Sequence, residues 1–276
     1  MTSSLTAVLS GTGKTGQRVV ARLTALGAPV RSGSRAGTPR FDWADESTWP
    51  AALEDVSAAY LAYHPDMAAP GAAEAVGTLS KIAADRGVEQ LVLLSGRGEE
   101  DGWATEQAVR DSGLAWTILR SSWFSQNFSE SFMLDSVLAG ELVLPTGAVT
   151  EPFVDADDLA DAAVAALTRP EHEGRTYELT GPRLLTFGDA VEEIAHASHR
   201  QISYVPVSTR EFAAGLAEQA VPPDLVEFLT HLFTKVLDGR NSHLTGDLEQ
   251  ILGRPPRDFH DYATATAATG VWAAGA

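Results

Sequence analysis

One glycine-rich segment limits the possible folds of this chain more than any other feature of the sequence. The apolar run Leu5–Ser10 leads into glycines at Gly11, Gly13 and Gly16, and apolar residues at helical spacing follow. Gly-x-Gly-x-x-Gly between a strand and a helix is the turn that lets a backbone approach a pyrophosphate. The alternative, a P-loop, needs a glycine at position 8, which is occupied by Val8. The segment therefore predicts a dinucleotide-binding turn.

The segment "VRSGSR" distinguishes between two dinucleotides. A site for NAD places Asp or Glu about 20 residues after the first glycine, on the ribose hydroxyls. That position is Arg31, and Ser34 and Arg35 follow it. Guanidinium groups and a hydroxyl suit the 2′-phosphate of NADP. We predict NADP(H) as the cofactor; the alternative is that these arginines are ordinary surface residues.

The charge distribution supports an anion site near the beginning of the chain. The net charge is -17, yet residues 1–41 hold six of the 20 Lys and Arg residues and none of the 37 Asp and Glu residues. Such an acidic chain is not expected to bind nucleic acid. A purely basic segment within it is expected to serve an anion, although solvated arginines would give the same pattern.

Strand and helix signals alternate over the first 120 residues or so, which is typical of a doubly wound parallel sheet. Short apolar runs that predict buried strands occur at residues 58–65, 89–96 and 114–121, with helical patterns between them. After Ser122 the alternation loosens, and from Leu184 the pattern is mainly helical. The sequence predicts an α/β protein with a Rossmann-like doubly wound parallel sheet and a smaller, mostly helical C-terminal substrate domain.

Several classes of protein are excluded by composition. The chain has no cysteine, so disulfides, thiolate metal sites and a cysteine nucleophile are ruled out. It has no apolar run of the roughly 20 residues that cross a bilayer. The first segment lacks the basic start of a signal peptide, so we expect a cytoplasmic protein that does not bind membranes.

Together with the glycine turn, several later segments resemble the NmrA-like family of atypical short-chain dehydrogenases/reductases, in the branch of NAD(P)H:quinone oxidoreductases. These segments are "GVEQLVLLSG", "SGLAWTILRSSWFSQNF", "EPFVDADDLADAAVAAL", "GRTYELTGP" and "LTGDLEQILGRPPRDF". The resemblance implies an NADP-binding Rossmann domain of residues 1–122 and 148–182. A smaller substrate-binding domain of residues 123–147 and 183–276 would lie over the nicotinamide end of the cofactor.

The resemblance also implies a set of cofactor-binding residues. The glycine turn would hold the pyrophosphate, Arg31 and Arg35 the 2′-phosphate, and Asp42 and Trp43 would flank the adenine. The remaining residues would line the cofactor and its nicotinamide. The predicted set is Gly11, Thr12, Gly13, Lys14, Thr15, Gly16, Arg31, Ser34, Arg35, Asp42, Trp43, Ala62, Tyr63, His64, Ser95, Gly96, Ser121, Ser122, Trp123 and Phe124.

The chain departs from most of that superfamily in its catalytic groups. Tyr-x-x-x-Lys usually supplies a proton to the substrate carbonyl. The three lysines are Lys14, Lys81 and Lys235, and none has a tyrosine four residues before it. Alignment on Glu106 places glycines, Gly98 and Gly102, where the pair would stand. NmrA-like proteins often lack this pair.

Other candidate sites are weaker. Asp155, Asp157 and Asp158 open a helix and suit its cap and dipole better than a metal ion. Neither His196 and His199 nor Ser95 has the spacing of a zinc or hydrolase motif. We expect no metal. Ser122 and His231 are the candidate proton donors. Five aromatic residues would line an apolar substrate pocket or else be plain core: Tyr63, Trp103, Trp123, Phe124 and Phe128.

These observations predict an NADPH-dependent oxidoreductase that transfers hydride to a quinone-like or other conjugated apolar acceptor. A non-enzymatic NADP(H)-binding redox sensor of the NmrA type is the alternative, and an epimerase of the extended branch is disfavoured by the missing Tyr-x-x-x-Lys pair. The expected partner is a small apolar molecule, and the sequence leaves a homodimer open.

Overall fold

The computed structural model describes residues 4–273, the side chain of Phe228 excepted. The strands are β1 (Leu5–Leu9), β2 (Val30–Gly33), β3 (Val56–Leu61), β4 (Gln90–Gly96), β5 (Ala115–Ser121), β6 (Glu141–Leu144), β7 (Thr150–Glu151), β8 (Arg175–Leu179), β9 (Leu185–Thr186) and β10 (Ser203–Pro206). The α-helices are α1 (Gly16–Ala25), α2 (Trp49–Ala52), α3 (Ala72–Asp85), α4 (Trp103–Arg110), α5 (Leu134–Ala139), α6 (Ala156–Thr168), α7 (Phe187–Ser198), α8 (Thr209–Glu218), α9 (Pro223–His231), α10 (Asp247–Leu252) and α11 (Phe259–Ala268).

The chain divides into two compact units. The first holds residues 4–121, 156–179 and 247–254, and the second holds residues 122–155, 180–246 and 255–273. This division differs from the predicted one mainly in two segments. Residues 148–155 lie in the second unit rather than the first, and residues 247–254 lie in the first unit rather than the second.

The first unit contains a six-stranded sheet in the order β2-β1-β3-β4-β5-β8, with every pair parallel. The chain runs outward from β1 to β2 and then returns to place β3 on the other side of β1. The loops that follow β1 and β3 therefore diverge at the carboxyl edge of the sheet, which is where doubly wound sheets bind ligands. The predicted Rossmann-like fold is confirmed.

Both faces of this sheet are covered by helices, which explains why the inner strands β1, β3 and β4 are largely apolar. Successive strand residues point to opposite faces. Leu9, Leu61 and Leu93 lie in one core cluster with Val76 of α3 and Val109 of α4. On the other side α6 packs against β3, β4 and β5, and α1 packs against α6.

Helix α1 forms much as its pattern predicts, and Gly27 ends it at φ 70°. Its two arginines, however, do not serve an external anion. Arg22 bonds to Asp157 at 2.8 Å and also to Asp161, and Arg18 lies 3.5 Å from Asp157. These acids belong to α6, so two of the six basic residues of the segment 1–41 are paired with this helix within the first unit.

The segment of residues 247–254 belongs to the first unit because Arg254 bonds to α6. Its Nη2 donates to Asp158 and Asp161, each at 2.7 Å. Asp158 has no exposed side-chain surface, and a buried carboxylate needs a partner of opposite charge. The backbone N–H of Glu178 in β8 also donates to Asp247 at 2.7 Å.

The second unit packs around an aromatic core. Phe128 and Phe153 meet Phe187 and Phe259 with ring centroids 5.1 to 6.1 Å apart. Strands β6 and β10 pair in parallel, whereas β7 and β9 pair antiparallel. Within residues 4–273, no helix combines the length and the apolar character that crossing a membrane requires.

The carboxyl group of Glu106 joins α4 to the sheet in the first unit. It accepts hydrogen bonds from Ser95 Oγ in β4, from Arg120 Nε and Nη2 in β5 and from Arg110 Nη2, all at 2.7 to 2.8 Å. Burial opposes the charge of Glu106, but these bonds outweigh it and hold its pKa below the usual value. Glu106 is therefore a structural anion.

We expect Glu106→Gln to lower the free energy of unfolding by about 3–5 kcal/mol, because two arginines lose their buried counter-charge. The measurement is urea denaturation at pH 7, with Glu89→Gln, an exposed carboxyl, as the matched control. Since the folded pKa is lowered, the contribution is complete above the unfolded pKa of about 4.3 and is lost as pH falls below it. A difference between wild type and Glu106→Gln that does not shrink at low pH would contradict this assignment.

Candidate functional site

The glycine turn after β1 is built so that two of its glycines have no space for a side chain. A Cβ on Gly11 would overlap Ser32 Oγ, and a Cβ on Gly16 would overlap the carbonyl oxygen of Ser10. Gly13 differs, because its Cβ would meet only that same carbonyl oxygen, at 3.2 Å, within 4 Å. Gly11 and Gly16 therefore hold the turn closed, while Gly13 presents bare backbone.

The N-terminus of α1 lies next to this turn. Thr15, the N-cap residue, makes no side-chain capping bond; its buried hydroxyl accepts instead from Tyr60 Oη at 2.9 Å. The first turn of α1 has no acidic residue. An acid-free helix start with bare backbone beside it suits an anion, because helix N-termini carry positive partial charge. Of the predicted residues here, Thr12 and Gly13 are exposed and Lys14 is half-buried.

An indole ring joins the three loops that follow β1, β2 and β3. Trp43 Nε1 donates to Ser10 Oγ at 3.0 Å and to the carbonyl of Ala62 at 3.1 Å, and Ser10 Oγ donates to the same carbonyl at 2.7 Å. The Trp43 ring also lies 4.9 Å from that of Tyr63. Thus Trp43 and Ala62, two predicted cofactor residues, meet at the diverging loops; His64 of the same loop is exposed.

The end of β2 separates the two arginines that the sequence groups together. Arg31 lies within the strand, and its Nη1 donates to the carbonyl of Ala52, the last residue of α2, at 3.2 Å and to that of Glu54 at 2.5 Å. Ser34 and the exposed Arg35 come after the strand. The backbone carbonyl of Ser34 accepts hydrogen bonds from the N–H groups of Gly37 and Phe41. Only the second arginine therefore stands in the turn itself.

Asp42 remains a charged group at this edge. The backbone N–H of Ala44 donates to its carboxylate, and Arg40 Nη2 donates to it at 2.7 Å. The hydrogen bond from Ala44, helped by that from Arg40, outweighs the opposing effect of desolvation and lowers the pKa of Asp42. Asp42 also contributes its backbone, because its carbonyl accepts from Trp49 Nε1 at 2.7 Å.

The ends of β4 and β5 are held together by their own side chains and backbone. Ser95 Oγ is bonded to Glu106, and Ser121 Oγ donates to the Ser95 carbonyl at 3.3 Å. The backbone N–H of Gly96 donates to Met67 Sδ at 3.2 Å. Both serine hydroxyls thus make hydrogen bonds within the first unit. At these predicted positions a cofactor would therefore contact backbone rather than hydroxyl groups.

Glu99 is a functional candidate that the sequence reasoning missed. It follows β4, and a Cβ built on Gly96 would overlap its carboxyl group. Its Oε2 is buried and has no hydrogen-bond partner among the described residues. Burial, with the nearby carboxyls of Asp66 and Asp101, raises the pKa of Glu99 to about 8. Three acids in "GRGEEDG" directly after a strand were the available signal.

The predicted substrate residues are divided between the two units. Trp103 is 51% exposed in the first unit, with the Arg120 guanidinium 6.0 Å from its ring centroid. In the second unit Trp123 packs against Phe187 and Phe233, at 5.7 and 5.1 Å. Phe128 has no exposed surface and lies in the aromatic core of the second unit, which is the second of the two roles that the sequence leaves open for it.

The remaining candidates of the second unit differ in accessibility. Ser122 is buried, and its Oγ has no hydrogen-bond partner among the described residues. Phe124 is half-buried and pairs through its backbone with Val154. His231, at the end of α9, is exposed.

The acids that open α6 have structural roles. Asp155 directly precedes the helix and accepts from Gln126 Nε2 at 3.2 Å, while Asp157 and Asp158 are paired with arginines as described above. His196 lies 3.9 Å from Glu192 on an exposed helix face. In the part of the chain that the structure describes, no group of three or more His, Asp or Glu residues could hold a metal ion.

No family model matches the chain, but several proteins are similar to it in sequence over nearly its whole length. An agroclavine dehydrogenase of Claviceps fusiformis is 31% identical, over 92% of this chain and 94% of its own length. The uncharacterized oxidoreductase YesF of Bacillus subtilis is 31% identical over 96% of both chains. The NAD(P)H azoreductase of Xenophilus azovorans is 28% identical, over 95% and 97%.

Solved structures agree with these relatives. The NADPH complex of quinone oxidoreductase QOR2 from Escherichia coli superposes with a TM-score of 0.81 at 22% identity, over 94% of this chain and 99% of that one. The negative transcriptional regulator NmrA superposes with a TM-score of 0.68 at 17% identity, over 97% and 98%. These likenesses share one fold, and two relatives reach 31% identity over almost their full length. The chain belongs to the NmrA-like family of atypical short-chain dehydrogenases/reductases.

Proposed function

We propose that this chain is an NADPH-dependent reductase of conjugated, apolar acceptors such as quinones. The observation that carries the proposal is the glycine turn at the point where the loops after β1 and β3 diverge. There Gly11 and Gly16 cannot be replaced by larger residues, because a Cβ at either position would overlap neighbouring atoms. Gly13 exposes bare backbone beside the start of α1. Such a cradle suits the pyrophosphate of a dinucleotide.

The residues of the first unit fit NADP(H). The turn from Gly11 to Gly16 would hold the pyrophosphate, and Arg35 with Ser34 would bind the 2′-phosphate from the end of β2. The Nη1 of Arg31 is bonded to backbone carbonyls, so this residue would bind the 2′-phosphate through its other guanidinium nitrogens. When bound, NADPH supplies the hydride; the protein positions the acceptor and excludes water.

The choice of acceptor follows from a group that the sequence lacks. Hydride addition to a simple ketone creates an alkoxide, a strong base that needs a proton donor in place. Hydride addition to a quinone leaves a phenolate-like anion, whose conjugate acid has a pKa near 10. A chain without Tyr-x-x-x-Lys is better suited to the second reaction. The name of the azoreductase relative, whose substrates contain a conjugated azo group, supports this choice.

Cofactor preference is tested by Arg35→Ala. Each charge-assisted hydrogen bond to a phosphate contributes about 1.5–3 kcal/mol. We therefore expect NADPH to bind roughly 10- to 100-fold more weakly and NADH to be unaffected. Fluorescence titration of both dinucleotides measures the change, with Arg86→Ala, an exposed arginine of the same unit, as control. Equal affinities of the wild type for NADH and NADPH would show that the 2′-phosphate assignment is wrong.

The pyrophosphate cradle is tested by Gly13→Val. The branched side chain would occupy the open space that the phosphate needs, so neither dinucleotide should bind while the fold persists. Gly246→Val, whose Cβ would meet no atom within 4 Å, is the control for the general cost of the substitution. A folded Gly13→Val protein with unchanged cofactor affinity would reduce the glycine turn to a purely structural element.

Acceptor choice is tested by NADPH consumption with a panel of quinones, azo dyes and plain aliphatic ketones. We expect turnover of the conjugated compounds and none of the ketones. Efficient ketone reduction would refute the inference from the missing Tyr-x-x-x-Lys pair. NADPH binding without turnover of any acceptor would instead favour the redox sensor.

A further inference from the structure

The carboxyl group of Glu99 is held in a defined place after β4. Gly98 adopts φ 73°, a left-handed conformation that glycine accepts readily, and the chain then forms a short 3₁₀ turn over Glu100–Gly102. The N–H of Gly102 donates to the Glu99 carbonyl at 3.0 Å. These features fold Glu99 back over the end of the strand it follows.

Gly96 makes the space for this carboxyl group. Because a Cβ at that position would overlap the Glu99 carboxyl group, no other residue could stand there without moving it. Met67 lies beside the same backbone, since its Sδ accepts the Gly96 N–H and its side-chain atoms lie 3.6 to 3.7 Å from a Cβ built on Gly102. The carboxyl therefore sits at the carboxyl edge of the sheet, over the bare backbone of Gly96.

The charged groups that act on Glu99 are carboxyls. Asp66, in the loop after β3, accepts the N–H of Ala68 at 2.8 Å, and its own pKa is raised by burial. Asp101 lies in the 3₁₀ turn. With burial, these two groups raise the pKa of Glu99 to about 8. At neutral pH Glu99 therefore keeps its proton, and its buried Oε2 has no hydrogen-bond partner among the described residues.

We propose that Glu99 is the proton donor to the reduced acceptor, in place of the absent Tyr-x-x-x-Lys pair. Strand β4 lies in the half of the sheet beyond the crevice between β1 and β3, where the second half of a dinucleotide binds. Glu99 reaches this edge from the same loop as Gly98 and Gly102, the positions aligned with the missing pair. This inference rests on the proposed reductase function.

The proton step balances with the hydride that NADPH supplies. As the hydride bonds to a quinone, an electron pair moves onto the quinone oxygen. The O–H bond of Glu99 breaks, an O–H bond forms on that oxygen, and the products are a hydroquinone, NADP⁺ and the Glu99 carboxylate. Solvent then returns a proton to Glu99. A donor of pKa about 8 matches an oxyanion whose conjugate acid has a pKa near 10.

The kinetic test compares Glu99→Gln with Glu100→Gln, its exposed neighbour. We expect Glu99→Gln to lower kcat for a quinone about 10²-fold while the Kd for NADPH stays unchanged, and Glu100→Gln to behave as wild type. In wild type kcat should fall above pH about 8, as Glu99 loses its proton, and Glu99→Gln should lack this decline. Asp66→Asn, which removes a like charge, should move the decline to lower pH.

A second measurement does not depend on turnover. Carbon-13 NMR of the glutamate carboxyls in the cofactor-free protein should show one group that titrates near pH 8 and is missing from Glu99→Gln. Its raised folded pKa also means that wild type loses stability relative to Glu99→Gln as pH rises from about 4.3 to 8.

The possible failures are distinct. A quinone kcat and pH profile in Glu99→Gln equal to those of wild type would overturn the donor role and leave the reductase intact. Titration of Glu99 at an ordinary glutamate pKa would also overturn it. Absence of wild-type turnover with every acceptor, while NADPH binds, would overturn the reductase and the donor role together.

Discussion

The contact between the Ser10 carbonyl and the start of α1 is the constraint on which the first unit depends. Ser10 adopts φ 65°, and its carbonyl lies so close to Gly16 that a methyl group there would overlap it. The close approach sets the angle at which α1 leaves the sheet and therefore where its N–H groups point. Ser10 also bonds through its hydroxyl to the loop after β3. Ser10 thus contacts both the start of α1 and the loop after β3, the two segments that diverge at this edge of the sheet.

Two carboxyl groups near the end of β4 show how surroundings decide the state of one functional group. Glu106 is buried with two arginines and a serine hydroxyl and stays ionised. Glu99 is half-buried near other carboxyls, and its ionised form is disfavoured. The first tightens the join between helix and sheet. The second retains a proton at neutral pH, which gives the chain acid chemistry without the usual tyrosine.

The sequence predicts the features that are local. The glycine turn, the strands and the end of α1 at Gly27 depend on residues close together in the chain. The hydrogen bonds from Trp43 to Ser10 and Ala62 join three loops that are far apart in the chain, and no periodic pattern in the sequence predicts them. Arg31 shows a subtler difficulty, because its spacing suits a phosphate while its position inside β2 directs it to carbonyls after α2. For Phe128 the sequence leaves a core role and a pocket role open, because a core aromatic and a pocket aromatic look the same in sequence.

The bonds from Arg254 to α6 have a consequence for how the protein is made. The sheet of the first unit is complete once β8 has been synthesised, yet Asp158 is buried and ion-paired to a residue 96 positions further along the chain. During translation, the ion pair between Asp158 and Arg254 can form only after residue 254 has been synthesised, near the end of the chain. A fragment that ends before residue 247 would therefore lack one ion-pair partner of the buried Asp158 and would not contain all the contacts of the first unit.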